Sequence, residues 1–270
     1  MAAATLTLLF KEDRFGGVIA EVTNSSNDEN LPFEECLDTR LDEWRADGKR
    51  GIWVKVANAQ SAAVPILISR GFDWHHAKSG YCLLTKWLGD GESKLPRYPS
   101  TQVGVGAFAR NANGDVLLVQ ERVSGTAANQ GMWKLPGGVA DPGEDLADTA
   151  ARELREETGV VAELESLASF KHTHGLQHGI DDIYFVIRMR AKSDEIQLDP
   201  EEIAAAQWCS RSKVEELFAG GLISKGNKTT LDNCFDASLA IQAELVPSSR
   251  GRPVLLYSLP ASDASTSKQT

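Results

Sequence analysis

The segment from Gly138 to Val160 constrains the fold of this chain more than any other part of the sequence. Asp145 is typical of a helix N-cap, and Gly159 supplies the left-handed residue that often ends a helix. Between them, apolar residues recur every four positions: Leu146, Ala150 and Leu154. The spacing therefore predicts a helix from Leu146 to Thr158 that packs one face on a core.

Three glutamates lie beside this apolar stripe: Glu153, Glu156 and Glu157. At about 100° per residue they fall on an arc next to the buried face, where three carboxylates repel one another. A hard divalent cation removes this repulsion, because it prefers carboxylate oxygens. Arg152 can pair with a carboxylate and hold the acidic side chains in place. For these three glutamates taken by themselves, the alternative is an acidic helix face exposed to solvent.

The glutamates belong to a longer pattern with fixed spacing. Its members are Gly138, Pro142-Gly143, Glu144, Arg152-Glu153, Glu156-Glu157 and Gly159-Val160. The pattern resembles the Nudix box, G-x5-E-x7-R-E-U-x-E-E-x-G-U with U an aliphatic residue, at every position. The resemblance implies the α/β class, with the Nudix α/β/α sandwich and its mixed sheet. It also implies an enzyme that hydrolyses a diphosphate bond with Mg²⁺ or Mn²⁺ as cofactor.

The resemblance further implies roles for single residues. The implied metal ligands are the backbone carbonyl of Gly138 and the side chains of Glu153, Glu156 and Glu157. The implied catalytic residues are Arg152, Glu156, Glu157 and Glu202, and either Glu156 or Glu202 takes a proton from the attacking water. Glu144 is implied to brace the loop. For Glu202, a solvated loop glutamate beside Glu201 is the alternative.

Segments outside the box resemble one group of the family: Ser100–Ala107, Met132–Gly138 and Asp182–Phe185. The group comprises plant Nudix hydrolases that act on ADP-ribose and NADH and the animal Nudix protein encoded antisense to a fibroblast growth factor. It implies a small nucleotide as substrate, ADP-ribose first and NADH second. The residues expected to contact substrate are Arg122, Trp133, Lys134 and His174. Core packing of Trp133 and plain surface charge at Lys134 and Arg122 are the alternatives.

The sequence divides near a polar stretch punctuated by glycine and proline. We expect a small α/β domain over residues 1–92, a linker over 93–100, the Nudix domain over 101–260 and a disordered tail over 261–270. The first domain resembles the acetyltransferase-like domain that precedes the Nudix domain in this group. It has no R/Q-x-x-G-x-G/A loop for acyl-CoA, so we expect no acetyl transfer.

Other local patterns predict further elements. Residues 111–115, Asn-Ala-Asn-Gly-Asp, are typical of a hairpin turn, and Ser212-Lys213-Val214-Glu215 resembles a capping box. Helices are predicted over Ser61–Arg70 and Leu231–Leu245. Three histidines, His172, His174 and His178, form a cluster for which a zinc site is the alternative to substrate contact by His174.

The formal net charge of −10 argues against nucleic acid or an anionic membrane as the main partner. The four cysteines form no CxxC pair, which favours reduced thiols and neither a zinc finger nor a disulfide framework.

The apolar run at the N-terminus is too short for a signal peptide or a membrane span. We expect the cytoplasm, with the nucleus left open. The resemblance also leaves open a homodimer.

Two alternative functions remain from the sequence alone. The chain acts on another diphosphate, such as capped RNA, coenzyme A or a dinucleoside polyphosphate, or it is a regulatory module that binds a nucleotide without turnover. The intact set of glutamates argues against the second alternative, because a module without catalysis has no need of three clustered carboxylates.

Overall fold

The structure is a computed structural model, described here for residues 6–24, 32–123, 129–235, 241–247 and 253–259. The chain divides into two compact units, Met1–Pro99 and Ser100–Thr270. Side chains of the polar stretch pack on the first unit, since Leu95 lies against Gly51 and the Tyr98 ring stacks on His76. The predicted tail, residues 261–270, lies outside the described residues.

The first unit is a five-stranded sheet with helices against one face. Its strands are β1 (Leu6–Glu12), β2 (Val18–Asn24), β3 (Gly51–Ala57), β4 (Asp73–Lys78) and β5 (Tyr81–Trp87), and its helices are α1 (Phe33–Ala46) and α2 (Ala63–Ser69). The sheet order is β1-β2-β3-β5-β4. Alternate residues of β2 and β3 bury their side chains in one core with Leu37 and Leu67 of the helices. The acetyltransferase likeness stays a prediction.

The helix predicted over Ser61–Arg70 is shorter in the structure. A 3₁₀ turn, Asn58–Gln60, precedes it, and α2 begins only at Ala63. Pro65 therefore falls in the first turn of α2, where a missing backbone N–H breaks no helical hydrogen bond.

The second unit is built on a six-stranded mixed sheet. Its strands are β6 (Thr101–Arg110), β7 (Val116–Glu121), β8 (Trp133–Lys134), β9 (Ala162–Thr173), β10 (Asp181–Ala191) and β11 (Ile203–Cys209). The order is β11-β7-β6-β10-β9, with β8 on β7, and β6 pairs parallel with β10. The predicted hairpin turn is confirmed, because the Asn111 side-chain oxygen accepts the N–H groups of Asn113 and Asp115.

Helices cover both faces of this sheet. On one face lies α3 (Leu146–Thr158), whose Ala150 and Leu154 are fully buried against β6 and β10. On the other face lie α4 (Arg211–Ala219) and α5 (Lys225–Phe235), whose Val214 and Leu231 pack in a second core. The predicted α/β/α sandwich with a mixed sheet is confirmed.

Two predictions near the C-terminus are wrong. The N-cap of α4 is Ser210 instead of Ser212, and its hydroxyl accepts the N–H of Lys213 at 3.2 Å. The helix predicted over Leu231–Leu245 begins earlier and ends at Phe235, while β12 (Gln242–Val246) pairs with β13 (Val254–Ser258). The alternation of polar and apolar residues in β12 suits a strand, and it competes with the helical pattern upstream.

The buried Arg188 of β10 holds the end of α5. Its guanidinium donates to the carbonyl oxygens of Cys234 at 3.2 Å and Asn233 at 3.3 Å. A cation is stabilised there because the last carbonyls of a helix carry partial negative charge. This contact fixes α5, which forms one wall of the cavity described below. No helix in the described ranges is long and apolar enough to cross a membrane.

We predict that Leu154→Ala lowers the free energy of unfolding by about 2–5 kcal/mol, because it leaves a cavity under α3. The measurement is urea unfolding followed by circular dichroism. The matched control is Leu198→Ala, a partly exposed leucine of the same unit, with an expected loss of about 0.5 kcal/mol. Equal losses in the two variants contradict this account of the core.

Candidate active site

The acidic helix and the loop before it are joined by backbone and side-chain contacts. As predicted, α3 begins after Asp145, and Gly159 ends it with φ of 70° while its N–H donates to Arg155. The loop runs back along β6, where the N–H of Val105 donates to the carbonyl of Gly138 at 2.8 Å. The loop and the sheet therefore hold the helix N-terminus in place.

A side chain at Gly138 would displace the carboxylate of Glu153. A Cβ atom there would lie 2.5 Å from a carboxylate oxygen of Glu153. The backbone and the Glu153 carboxylate are thus in direct contact, which the sequence prediction of a shared ligand set requires. The Gly138 carbonyl oxygen already accepts one hydrogen bond, so only its second lone pair is available to a cation.

Arg152 is the centre of the acidic network. Its guanidinium donates twice to Glu144, at 2.8 and 2.9 Å, and also to Glu153 at 2.8 Å and Glu156 at 3.1 Å. A further hydrogen bond at 3.3 Å reaches the carbonyl of Val139 in the loop. The hydrogen bonds that Arg152 donates to these carboxylates, to Glu144 first, raise its pKa, so it stays charged. One cation thereby orients three anions.

Glu144 is the most strongly held of these carboxylates. Besides the bidentate pair with Arg152, it accepts the Thr149 hydroxyl at 2.9 Å and the Asp141 N–H at 3.1 Å. These hydrogen bonds, that of Arg152 above all, lower the pKa of Glu144 to about 2. The carboxylate is therefore committed to bracing the loop, as the resemblance implies.

Glu157 has a contrasting environment. Its side chain is buried, and one carboxylate oxygen accepts the N–H of Gly137 at 3.1 Å. Burial raises the pKa of Glu157 to about 7, while the charge of Lys134 acts in the opposite direction. A buried carboxylate with this little compensation is a good ligand for a cation, because coordination replaces the hydration that burial removes.

The structure brings Glu202 next to Glu157. Both residues line a depression of about 300 Å³, together with Glu201 and with Glu121 at the end of β7. The carboxylate oxygens of Glu157 and Glu202, with those of Glu153, are therefore ligands of the kind that a hard divalent cation prefers. The three α3 glutamates do not converge as tightly as a ligand cluster, and Glu156 is half exposed and paired with Arg152.

A larger cavity of about 610 Å³ opens beside this acidic group. Its lining combines charged, polar and apolar groups: the cations Lys134 and Lys171, the anion Glu121, the amides Gln102, Asn129 and Asn227, the hydroxyls of Thr230 and Tyr184, Gly137, and the apolar side chains Met132, Leu135, Val139, Leu176 and Leu231. Lys134 forms an ion pair with Glu121, and the Lys171 ammonium lies 4.8 Å from the centre of the Tyr184 ring. Charged, amide and aromatic groups thus face one space.

Three predicted substrate contacts lie elsewhere. Trp133 is 8% exposed and belongs to the core behind the cavity, so its ring is not free to stack on a base. Arg122 is exposed outside the cavity, and its backbone N–H donates to Glu202. His174 follows β9 on the face opposite Lys171, where it pairs with Asp181 at 2.9 Å. Of the four predicted contacts, Lys134 alone lines the cavity.

The sequence prediction missed Lys171 and Glu121, whereas it named Tyr184 as a residue that could stack on a base, with core packing as the alternative. Lys171 and Tyr184 face each other across β9 and β10, and their parity on these strands places both on the cavity side. Burial raises the pKa of the Tyr184 hydroxyl, which lies under Gly106. The two glycines Gly104 and Gly106 in β6 were the available signal, because strand glycines mark a close approach of another group.

Comparison with known proteins agrees with this geometry. The profile of the NUDIX domain matches residues 100–226, and that of the Nudix hydrolase domain matches residues 8–88. Nudix hydrolase 2 of Arabidopsis thaliana is 38% identical over 76% of this chain and 73% of its own length. The chain belongs to the Nudix hydrolase family.

Two further relatives are matched over only part of their own length. Nudix hydrolase 8 of Arabidopsis thaliana is 40% identical over 73% of this chain and 53% of its own length. Nucleoside diphosphate-linked moiety X motif 6 of Mus musculus is 39% identical over 73% of this chain and 63% of its own length. The chain therefore spans about half of the first relative and somewhat less than two thirds of the second.

We predict that Glu144 stabilises the Nudix unit in a pH-dependent way. Its folded pKa of about 2 lies below the usual 4.5, so the stabilisation is complete above about pH 4.5 and is lost as the pH falls towards 2. Urea unfolding of the wild type and Glu144→Gln between about pH 3 and 6 measures it. The difference between the two proteins should shrink with falling pH.

Glu216→Gln is the control, because it changes an exposed glutamate of α4. A wild-type advantage over Glu144→Gln that stays constant across this pH range contradicts the assigned role of the Arg152–Glu144 pair.

Proposed function

We propose that this Nudix protein hydrolyses the diphosphate bond of a nucleoside diphosphate derivative, with Mg²⁺ or Mn²⁺ as cofactor, and that ADP-ribose is the preferred substrate. The observation that carries the proposal is the buried carboxylate of Glu157 beside Glu202 and Glu121, at the edge of a cavity of nucleotide size. NADH, with the same diphosphate between two nucleosides, is the second substrate.

The cavity supports a nucleotide by size and by chemistry. Its volume of about 610 Å³ lies within the range of small-molecule sites. Tyr184 and the exposed Leu176 offer apolar surface for a base, and the side-chain amides of Gln102 and Asn227 offer donors and acceptors for its edge. Lys134 and Lys171 supply positive charge for phosphate oxygens.

The chain provides oxygen ligands that would bind the metal. Glu153, Glu157 and the carbonyl of Gly138 would hold it, with Glu156 joining once it exchanges its contact with Arg152 for the cation. A bound divalent cation supplies neutralisation of the diphosphate charge and a lowered pKa for the attacking water.

The protein residues perform the remaining tasks. Arg152 fixes the direction of Glu153, and Glu144 fixes Arg152. Glu202 is the better placed of the two candidate bases, because it shares the depression with Glu157 while Glu156 is engaged by Arg152. Glu202 takes a proton from the attacking water. The water oxygen forms a bond to one phosphorus atom, and the bond between that phosphorus and the bridging oxygen breaks. With ADP-ribose, the products are AMP and ribose 5-phosphate.

We predict that Glu153→Gln and Glu157→Gln each lower kcat by about 10²–10⁴-fold, with unchanged folding by circular dichroism. Glutamine keeps the shape of the side chain but removes the anion that the metal requires. Glu163→Gln, an exposed glutamate of β9 paired with Arg190, is the control and should keep its activity. Equal activity of all three variants refutes the assignment of the site.

We predict that ADP-ribose gives the highest kcat/KM in a panel with NADH, coenzyme A, a dinucleoside polyphosphate and capped RNA, each with Mg²⁺ or Mn²⁺. Chromatography identifies the monophosphate products, and EDTA should abolish them. A higher kcat/KM for another member of the panel would leave the proposed reaction in place and would overturn ADP-ribose as the preferred substrate. Tight nucleotide binding by calorimetry without any turnover establishes the regulatory alternative.

A further inference from the structure

A second group of potential metal ligands lies at the end of β9 and the start of β10. Within the described ranges, His172, His174 and Asp181 are the three residues whose ligand atoms all fall within 4.8 Å of one another. The Asp181 carboxylate oxygen Oδ2 lies 2.9 Å from Nδ1 of His174 and 3.7 Å from Nε2 of His172. The two imidazole rings are 4.2 Å apart, centre to centre.

This group is separate from the nucleotide cavity. In the register of β9 and β10, Lys171 stands opposite Tyr184, and both face the nucleotide cavity. His172 is the next residue along β9, so its side chain points to the other face of the sheet. His174 and Asp181 continue the same parity, and none of the three ligand residues lines the cavity.

The backbone holds the carboxylate in position for the histidines. The N–H of Gly175 donates to Asp181 Oδ1 at 3.1 Å, which leaves the other oxygen, Oδ2, turned towards both rings. His172 lies in β9 and His174 directly follows the strand, two residues further on, so both rings project to the same side and lie 4.2 Å apart, centre to centre. The ligand atoms thus converge before any ion binds.

We propose that His172, His174 and Asp181 bind a divalent transition-metal cation such as Zn²⁺, independently of the Mg²⁺ or Mn²⁺ at the acidic site. Two neutral imidazoles and one carboxylate suit Zn²⁺, with water as a fourth ligand, whereas Mg²⁺ prefers an all-oxygen set. The bound ion joins the two strands across the connection from Gly175 to Ile180.

The first test is calorimetric titration of the full chain with Zn²⁺, in an excess of Mg²⁺ that occupies the carboxylates of α3. The wild type should bind a Zn²⁺ ion whose affinity falls by about tenfold or more in His174→Ala and in Asp181→Asn. His174 is 72% exposed, so its truncation should leave the fold intact.

His178→Asn is the matched control, because it removes a histidine of the same connection that lies outside the group of three. His178 has φ of 62°, a left-handed conformation that asparagine tolerates better than most residues. Zn²⁺ affinity should match the wild type. Equal Zn²⁺ affinity in His174→Ala, Asp181→Asn and the wild type overturns the proposal.

The second test is nuclear magnetic resonance of the imidazole nitrogens. The chain has five histidines, so each ring can be assigned by single substitution. Zn²⁺ should shift the resonances of His172 and His174, and leave His75 and His76 of the first unit unchanged. Shifts confined to His75 and His76, or no shift in any ring, overturn the proposal. Both tests read binding alone, so a protein without hydrolytic activity leaves them decisive.

Discussion

The pairing of Arg152 with Glu144 is the interaction on which the acidic site depends. Without it, the loop and α3 would be joined mainly by backbone contacts, and Glu153 and Glu156 would repel each other near the buried surface. The guanidinium has enough donors to satisfy three carboxylates and a loop carbonyl at once. The positions of Glu144, Glu153 and Glu156 relative to the loop are therefore set by contacts within the protein itself.

Different environments give chemically similar residues different tasks. Glu144 accepts several hydrogen bonds and stays ionised, whereas Glu157 is buried with few donors and has a raised pKa. Glu202 lies in a loop at the mouth of the same depression. In the proposed hydrolysis, Glu144 braces the loop, Glu157 binds the cation and Glu202 takes the proton from water.

Local spacing predicted α3 to the residue, because the N-cap, apolar stripe and terminal glycine all act within one helix. The cavity was harder to predict, since its walls come from strands and helices far apart in sequence. Trp133 and His174 were predicted to contact the substrate, but burial of Trp133 and the strand parity of His174 direct their side chains elsewhere. The place of Lys171 in the cavity becomes visible only once the register of β9 and β10 is known.

The most direct measurement of the central claim is hydrolysis of ADP-ribose in water enriched in ¹⁸O, followed by mass spectrometry of the products. We predict that one ¹⁸O atom enters the phosphate group of either AMP or ribose 5-phosphate, and that this occurs with Mg²⁺ or Mn²⁺ and stops in EDTA. Release of AMP without ¹⁸O in either phosphate, or equal release in EDTA, would contradict metal-assisted attack of water on the diphosphate.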